Sequence, residues 1–323
     1  MLHKGMEIKM KKYAFGVDVG GTTCKMGLFK TEGTLLEKWE IPTDTTNRGE
    51  NILKDIAKAV QEKIAEQGIS ADEVQGIGLG IPGPVTKDGN VNKCVNLGWD
   101  QVIPVEEKLA EISGFPVKAG NDANVAALGE NWMGSGKEFA SMVMVTLGTG
   151  IGGGIILDNK ILAGANGAAG ETRHINADTK ETVPCNCGLC GCIEQYASAT
   201  GIVNVAKKQL AKTTEKSVLR NIGKLSAKAV FDAAREGDDL ANKIADEVCD
   251  KLAQTIAAVC CVVNPEAIII GGGVSRAGAV LIDRVTRDFQ KKAFHACRDT
   301  RILTAKLGND AGMYGAAKLI IEK

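Results

Sequence analysis

The sequence predicts an α/β protein built from two related lobes. Strand-like apolar segments alternate with amphipathic helix patterns along the chain, which is typical of this class. A pattern of strand, glycine-rich turn and second strand starts at residue 13 and recurs about 128 residues later, which indicates a duplicated domain rather than a solenoid. The length of 323 residues also favours two domains. We expect a small lobe over 13–120, joined by a C-terminal helix over 310–323, and a large lobe over 121–309.

The first lobe begins with a predicted β-hairpin. A β-branched run over 13–19 precedes the Gly20-Gly21 turn, and a second apolar segment follows over 26–29. Apolar residues at three- to four-residue spacing predict a helix over 50–67, which Gly68 can end. Further elements expected in this half are a strand over 74–81 that stops at Pro82, a helix over 105–112, a strand over 116–119 and a helix over 123–133.

The second half repeats the hairpin. Strands over 142–147 and 151–157 lie on either side of a glycine-rich turn. A long helical pattern covers 239–263, and a buried-strand run over 267–270 leads into three glycines and a helix from about residue 275. Strand, glycines and helix in this order favour phosphate binding at the helix N-terminus.

Composition excludes several classes of function. The 39 Lys and Arg balance the 39 Asp and Glu, so no global field attracts nucleic acid or an anionic membrane. No apolar run approaches the ~18 residues that a membrane span requires. The 10 cysteines are not spaced as a disulfide framework, which fits a reducing cytoplasm. We therefore expect a cytoplasmic protein that binds neither nucleic acid nor membrane.

Glycine is unusually frequent, with 39 of 323 residues. At the Gly20-Gly21 turn, backbone N–H groups lack Cβ obstruction, so a phosphate can approach closely. Asp18 would repel that phosphate unless a divalent cation such as Mg²⁺ lies between them. One such turn could be a plain hairpin turn, but three favour a nucleotide site. The candidate nucleotide-binding residues are Asp18, Gly20, Gly21, Thr22, Thr23, Gly148, Thr149, Gly150, Gly272 and Gly273.

The segment Asn121-Asp122-Ala123-Asn124 allows two interpretations. Asp122 in a site that excludes water could take a proton from a substrate hydroxyl while the flanking amides orient that substrate. The same residue types also cap helices, here the helix predicted over 123–133. The residues alone leave both interpretations open.

Four cysteines within eight residues predict a metal site. His174 lies 11 residues before the first of them and can complete the site. Three thiolates and one imidazole give a site charge of minus one, against minus two for four thiolates; we choose the former and leave Cys190 spare. Four protein ligands leave no open coordination position, so the metal is expected to be structural zinc.

The zinc would hold Glu171 and Glu194, which flank the cysteine segment, in fixed positions. A nucleic-acid-binding zinc ribbon is the competing interpretation. The balanced net charge and the lack of a second Cys-x-x-Cys pair argue against it.

From about residue 13 to the C-terminus, the chain resembles the ROK family of sugar kinases. The resemblance rests on Asp18-Val-Gly-Gly-Thr22, Asn121-Asp122, the Gly148 loop, Gly170-Glu171…His174 and Cys185-x-Cys187-Gly-x-x-Gly-Cys192-x-Glu194. In the cysteine motif, the two glycines are Gly188 and Gly191. The resemblance implies a two-lobed actin-like, hexokinase-like ATPase fold with ribonuclease H-like lobes and a structural zinc loop, in which ATP and sugar meet in the cleft between lobes.

The resemblance also implies roles for individual residues. Asp122 would be the catalytic base, and the zinc ligands would be His174, Cys185, Cys187 and Cys192. Sugar hydroxyls would be contacted by Asn121, Asp122, Glu171, His174 and Glu194. Gly83 and Asn96 join these substrate-binding candidates, because sugar discrimination depends on how the segments around them are placed.

Within the family, the segments over 95–99 and 194–201 look most like bacterial glucokinases. We therefore expect ATP-dependent phosphorylation of glucose at its 6-hydroxyl, with Mg²⁺ as cofactor. Arg173 departs from the family pattern, which commonly has Gly before the histidine. The alternatives are a kinase for N-acetylmannosamine, N-acetylglucosamine, mannose or fructose, a polyphosphate-dependent enzyme, or a non-catalytic sugar-sensing regulator. The resemblance further implies a homo-oligomer, either dimer or tetramer.

Overall fold

The computed structural model describes residues 11–322 of the chain. The strands are β1 Tyr13–Val19, β2 Thr23–Lys30, β3 Leu35–Pro42, β4 Val74–Ile81, β5 Asn90–Val91, β6 Ile103–Pro104, β7 Val117–Asn121, β8 Met142–Leu147, β9 Ile151–Leu157, β10 Lys160–Ile161, β11 Ala267–Gly271 and β12 Arg301–Thr304. The α-helices are α1 Ile52–Gln67, α2 Val105–Ser113, α3 Asp122–Met133, α4 Glu194–Ala197, α5 Ala199–Lys212, α6 Ala227–Arg235, α7 Asp239–Val263, α8 Ala279–Lys292 and α9 Ala311–Ile321.

The chain divides into two compact units. The first contains the described residues up to Met133, the short stretch Gly164–Gly167 and the C-terminal segment from Asp310. Its five-stranded sheet has the order β3-β2-β1-β4-β7, with β1 and β2 antiparallel and β1, β4 and β7 parallel. Phe15, Met26 and Ile77 are among the fully buried residues of its core.

The second unit contains Gly134–Ala163 and Ala168–Asn309. Its sheet has the order β10-β9-β8-β11-β12, with β8 and β9 antiparallel and β8, β11 and β12 parallel. Val143, Ile268 and Phe231 lie in a core formed with α5, α6, α7 and α8. The two sheets therefore share one strand connectivity, as the repeated hairpin pattern predicts.

Several bounds differ from those predicted. The first unit extends to Met133 rather than to residue 120, because α3 packs against α9. The strand predicted to end at residue 119 continues to Asn121 through its pairing with β4. Helix α8 begins at Ala279 rather than near 275, because Gly273–Ala277 forms a short 3₁₀ helix that ends at Gly278. Among the described residues, none of the helices combines the length and apolarity needed to cross a membrane.

Helix α9 lies in direct backbone contact with its neighbours at four glycines: Gly16, Gly78, Gly129 and Gly315. A Cβ built on Gly16 of β1 would lie 2.0 Å from the Met313 carbonyl oxygen, and one on Gly78 of β4 would lie 1.7 Å from the Ala316 oxygen. Against α3, a Cβ on Gly315 would lie 1.7 Å from the Val125 oxygen. No side chain fits at such separations, so part of the glycine excess serves close packing rather than turns.

Gly315→Ala is expected to destabilise the protein by about 2 kcal/mol or more, because the added methyl overlaps a backbone carbonyl that cannot move without shifting α3. In an uncrowded helix interior, the same change would stabilise by up to about 1 kcal/mol. Urea denaturation measures the difference. Gly223→Ala is the control, since a Cβ there meets nothing within 4 Å. Equal stability of Gly315→Ala and wild type would contradict this packing account.

Candidate active site

The predicted site residues of the first unit lie at the carboxyl ends of three parallel strands. Asp18 of β1 is in register with Gly80 of β4, and Ile81 of β4 is in register with Asn121 of β7. Ligands of open α/β sheets bind at this edge, because the strands end there and loops can diverge. The parallel register therefore brings Asp18, the turn after β4 and the start of α3 to one edge of the sheet.

Asp18 is a carboxylate in a desolvated position. A Cβ built on Gly312 at the start of α9 would lie 2.6 Å from its Cγ, so the carboxyl group packs against that helix. Burial raises the pKa of Asp18 to about 6; Lys25 acts to lower it and the Asp122 carboxylate acts to raise it. A bound divalent cation would offset both the desolvation of Asp18 and its repulsion by the Asp122 carboxylate, so Asp18 fits a position beside Mg²⁺.

The Gly20–Thr23 turn is held by hydrogen bonds at both ends. The Gly20 amide donates to the Thr23 carbonyl oxygen at 3.0 Å. Thr43 donates from Oγ1 to the Gly20 oxygen at 2.7 Å and from its amide to the Thr22 oxygen at 2.9 Å. A Cβ on Gly21 would lie 3.2 Å from the Asn96 oxygen, so the exposed Asn96 segment runs beside this turn.

Asn121 caps α3 and also orients Asp122. Its Oδ1 accepts from the amides of Ala123 at 3.1 Å and Asn124 at 3.2 Å. Its Nδ2 donates to the Gly83 oxygen at 3.2 Å and to Asp122 Oδ1 at 3.0 Å. The Ala123 amide donates to the same Asp122 oxygen at 2.8 Å. The capping interpretation therefore applies to Asn121, and it leaves Asp122 with a defined orientation.

In the second unit, the two later glycine segments come together at the equivalent sheet edge. Gly271 of β11 is in register with Thr146 of β8, which ends one residue before the turn Gly148-Thr149-Gly150. Gly272 has φ +80°, and a Cβ there would lie 2.5 Å from the Leu147 oxygen. A Cβ on Gly273 would meet nothing within 4 Å. The backbone beside the turn is thus open enough for a ligand to approach.

A histidine and three cysteines form a cluster able to hold a metal ion. The ligand atoms of His174, Cys185, Cys187 and Cys192 all lie within 4.8 Å of one another. Cys192 Sγ lies 3.7 Å from Cys187 Sγ and 3.9 Å from His174 Nδ1. Metal–sulfur bonds of about 2.3 Å at tetrahedral angles separate two sulfurs by about 3.8 Å, so the spacing fits one tetrahedral ion.

Cys190 lies outside this cluster. Its Sγ is 3.5 Å from the Thr182 carbonyl oxygen, to which it can donate. The loop that carries the cysteines is also tied down by Gln195, whose Nε2 donates to the Val183 oxygen at 2.9 Å and whose Oε1 accepts from the Cys192 amide at 3.1 Å. The sequence does not predict these two hydrogen bonds, because nothing in the local pattern around Gln195 indicates that its side chain contacts the backbone at Val183 and Cys192.

Arg173 connects two of the predicted substrate residues. Its Nε lies 2.7 Å from Glu171 Oε2 and 3.0 Å from His174 Nε2. The two ring nitrogens of His174 therefore face different partners, Nδ1 the cysteines and Nε2 the arginine. The sequence marks Arg173 only as a departure from a pattern, whereas its contacts place a cation between Glu171 and His174.

The structure divides the predicted site residues between the two units. The first unit gathers Asp18, Gly20, Gly21, Thr22, Thr23, Gly83, Asn96, Asn121 and Asp122. The second gathers Gly148, Thr149, Gly150, Glu171, His174, Cys185, Cys187, Cys192, Glu194, Gly272 and Gly273.

Comparison with known proteins gives consistent likenesses over nearly the whole chain. Residues 14–323 match the family model described as ROK family. A glucokinase of Halalkalibacterium halodurans is 41% identical over 314 residues, which cover 96% of this chain and 95% of that protein. The crystal structure of a ROK hexokinase from Thermus thermophilus has a TM-score of 0.78 at 28% identity, with 94% of this chain and 96% of that chain covered.

A second solved structure is that of a ROK family glucokinase from Streptomyces griseus in complex with glucose and AMPPNP. It has a TM-score of 0.72 at 33% identity and covers 95% of this chain and 98% of that chain. Together with the sheet topology, these likenesses confirm the expected mixed α/β, hexokinase-like fold.

Asp18→Asn is expected to raise the free energy of unfolding by about 1–3 kcal/mol at pH 7.5. The folded pKa of about 6 exceeds the ordinary value of 3.8, so ionised Asp18 costs stability above pH 6, and this cost disappears as the pH falls below 4. Urea denaturation at pH 7.5 and 4.5 should therefore show a gain that shrinks by more than half at the lower pH. The exposed Asp88→Asn should change stability by less than about 0.5 kcal/mol at either pH. A pH-independent gain would rule out desolvation as its cause.

Proposed function

Because the chain belongs to the ROK family, we propose that it is an ATP-dependent hexose kinase that converts glucose to glucose 6-phosphate. The 41% identity to a glucokinase and the likeness to a glucokinase structure that holds glucose and AMPPNP support this activity. The observation in the chain itself that carries the proposal is an oriented carboxylate, Asp122, on the same sheet edge as the desolvated Asp18.

Asp122 is proposed as the catalytic base. It accepts the proton of the sugar 6-hydroxyl as that oxygen attacks the γ-phosphorus of ATP, and the bond to the β-phosphate oxygen breaks. Hydrogen bonds from the Asn121 side chain and the Ala123 amide to Oδ1 support this role, because they hold the carboxylate in one orientation.

The glycine turns are proposed to bind the nucleotide. The turn residues Gly20, Gly21, Thr22 and Thr23, the segment over 148–150, and Gly272 and Gly273 would offer backbone N–H groups to phosphate oxygens. Asp18 would hold Mg²⁺, directly or through water, and the ion would neutralise charge on the phosphates when bound. This arrangement needs no basic surface, in keeping with the net charge of zero.

The sugar is proposed to contact Gly83, Asn96, Asn121, Asp122, Glu171, His174 and Glu194. Two groups of polar atoms support this proposal, because hydrogen-bonding groups held close together suit sugar hydroxyls. In one group Asn121 contacts Gly83, and in the other Arg173 contacts Glu171 and His174. Arg173 is proposed to bias the choice among sugars, since it engages two of these residues.

The Cys/His cluster is proposed to hold structural Zn²⁺ through His174, Cys185, Cys187 and Cys192. Four ligands at tetrahedral spacing leave no position for a substrate, so the ion would order the loop between Glu171 and Glu194. We further propose a cytoplasmic homo-oligomer that binds neither nucleic acid nor membrane.

The activity is tested with a coupled assay of ADP formation. Purified protein with MgATP should phosphorylate glucose with a higher kcat/KM than mannose, fructose, N-acetylglucosamine or N-acetylmannosamine. Replacing ATP by polyphosphate examines the alternative donor. A protein that binds sugars but turns none of them over would instead be a sensor, and the kinase proposal would fail.

Asp122→Ala is expected to lower kcat by about 10²-fold or more, with KM for glucose changed less than about threefold, because proton transfer is lost while hydroxyl contacts persist. Steady-state kinetics at saturating ATP measure both constants. The exposed Asp283→Asn serves as control and should match wild type. Near-normal turnover of Asp122→Ala would reject Asp122 as the base.

Cys187→Ser and Cys190→Ser form a matched pair for the metal site, because both remove one thiol from the same loop. Wild type and Cys190→Ser are expected to retain about one zinc per chain, and Cys187→Ser to lose most of it, since only Cys187 belongs to the cluster. Elemental analysis after dialysis measures the content. The reverse order would overturn the ligand assignment.

A further inference from the structure

Glu194 contacts the backbone of the Gly148-Thr149-Gly150 turn. Its Oε2 accepts a hydrogen bond from the Ile151 amide at 2.9 Å, directly after the turn. A Cβ built on Gly150 would lie 2.6 Å from the same oxygen. Only glycine at position 150 leaves room for the carboxylate, so the contact depends on the residue type of the turn itself.

Residues that follow Glu194 form hydrogen bonds with the other two residues of the turn, Gly148 and Thr149. The Ala199 amide donates to the Gly148 oxygen at 2.8 Å, and Thr200 Oγ1 donates to the Thr149 oxygen at 3.1 Å. The turn also closes on itself through a bond from the Gly148 amide to the Gly150 oxygen at 2.9 Å. Three hydrogen bonds thus link the starts of α4 and α5 to Gly148, Thr149 and Ile151.

The same carboxylate reaches the Cys/His cluster. Cys185 Sγ lies 3.9 Å from Glu194 Oε1, so one oxygen faces the cluster and the other faces the turn. A carboxylate that accepts from a backbone amide makes a stronger hydrogen bond than a neutral acceptor. Glu194 is therefore the side chain that connects the loop of the proposed zinc site to the turn proposed to bind phosphate.

We propose that Glu194 is a positioning residue for the nucleotide, in addition to its proposed sugar contact. It sets the shape of the 148–150 turn and thereby the direction in which the backbone N–H groups of the turn point. This inference rests on the proposed function, because it assumes that the turn binds the nucleotide. It distinguishes Glu194 from Glu171, whose carboxylate pairs with Arg173.

The test measures nucleotide binding with no sugar present, so that a residue touching only sugar cannot affect the result. Isothermal titration calorimetry with AMPPNP and Mg²⁺ gives the Kd for wild type, Glu194→Ala, Glu171→Ala and Thr200→Val.

Glu194→Ala should weaken binding about 5- to 20-fold, because it removes a charge-assisted hydrogen bond to the turn. Thr200→Val keeps the side-chain shape, removes one neutral hydrogen bond, and should weaken binding about 2- to 5-fold. Glu171→Ala should stay within about twofold of wild type.

Two further measurements make each outcome decisive. Glu194→Gln keeps the side-chain volume and one acceptor oxygen, so its Kd should lie between those of wild type and Glu194→Ala; it carries the test if Glu194→Ala does not fold by circular dichroism. An unchanged Kd in the Glu194 variants, with normal binding by wild type, overturns this inference alone. A wild type that binds no AMPPNP and phosphorylates no hexose overturns the proposed function itself.

Discussion

Backbone contact at glycine is the constraint on which the first unit depends. Gly16 and Gly78 let the carbonyls of α9 approach the sheet at distances that no side chain permits, and Gly315 does the same against α3. This packing places Gly312 against the Asp18 carboxyl group, so the C-terminal helix forms one wall of the candidate site. A carboxylate desolvated by helix backbone keeps its raised pKa only while that wall stays close.

In the second unit, the segment from Ala168 to the start of α4 contains little regular structure. Local contacts hold this segment: the two hydrogen bonds of Gln195 and the contacts of Arg173 with Glu171 and His174. The Cys/His cluster, as the proposed metal site, would add to them. A metal ion and paired polar groups can fix such a segment where a hydrophobic core cannot. Glu194 follows this segment, and its carboxylate accepts a hydrogen bond from the Ile151 amide, directly after the glycine turn.

Much of the fold follows from local patterns in the sequence. The strands over 13–19 and 74–81, the second hairpin and the helix over 239–263 have the predicted bounds, because hydrophobic periodicity and glycine or proline stops are local signals. The second strand of the first hairpin is longer than the predicted segment over 26–29 and covers Thr23–Lys30. The later start of α8 and the extension of the first unit to Met133 escaped prediction, since they depend on a 3₁₀ turn and on packing between α3 and α9. The strand register then decided which polar residues share an edge.

The sequence by itself determined the family and predicted the metal-ligand set and the residue types of the candidate site, because these depend on motif identity and spacing. Only the tertiary structure decided that Asp18 is desolvated by α9, that Arg173 engages both Glu171 and His174, and that Glu194 holds the glycine turn. The physical reason is that desolvation and hydrogen bonding depend on which atoms meet in space. Residues as distant along the chain as Asp18 and Gly312 carry no signal of their contact until the chain folds.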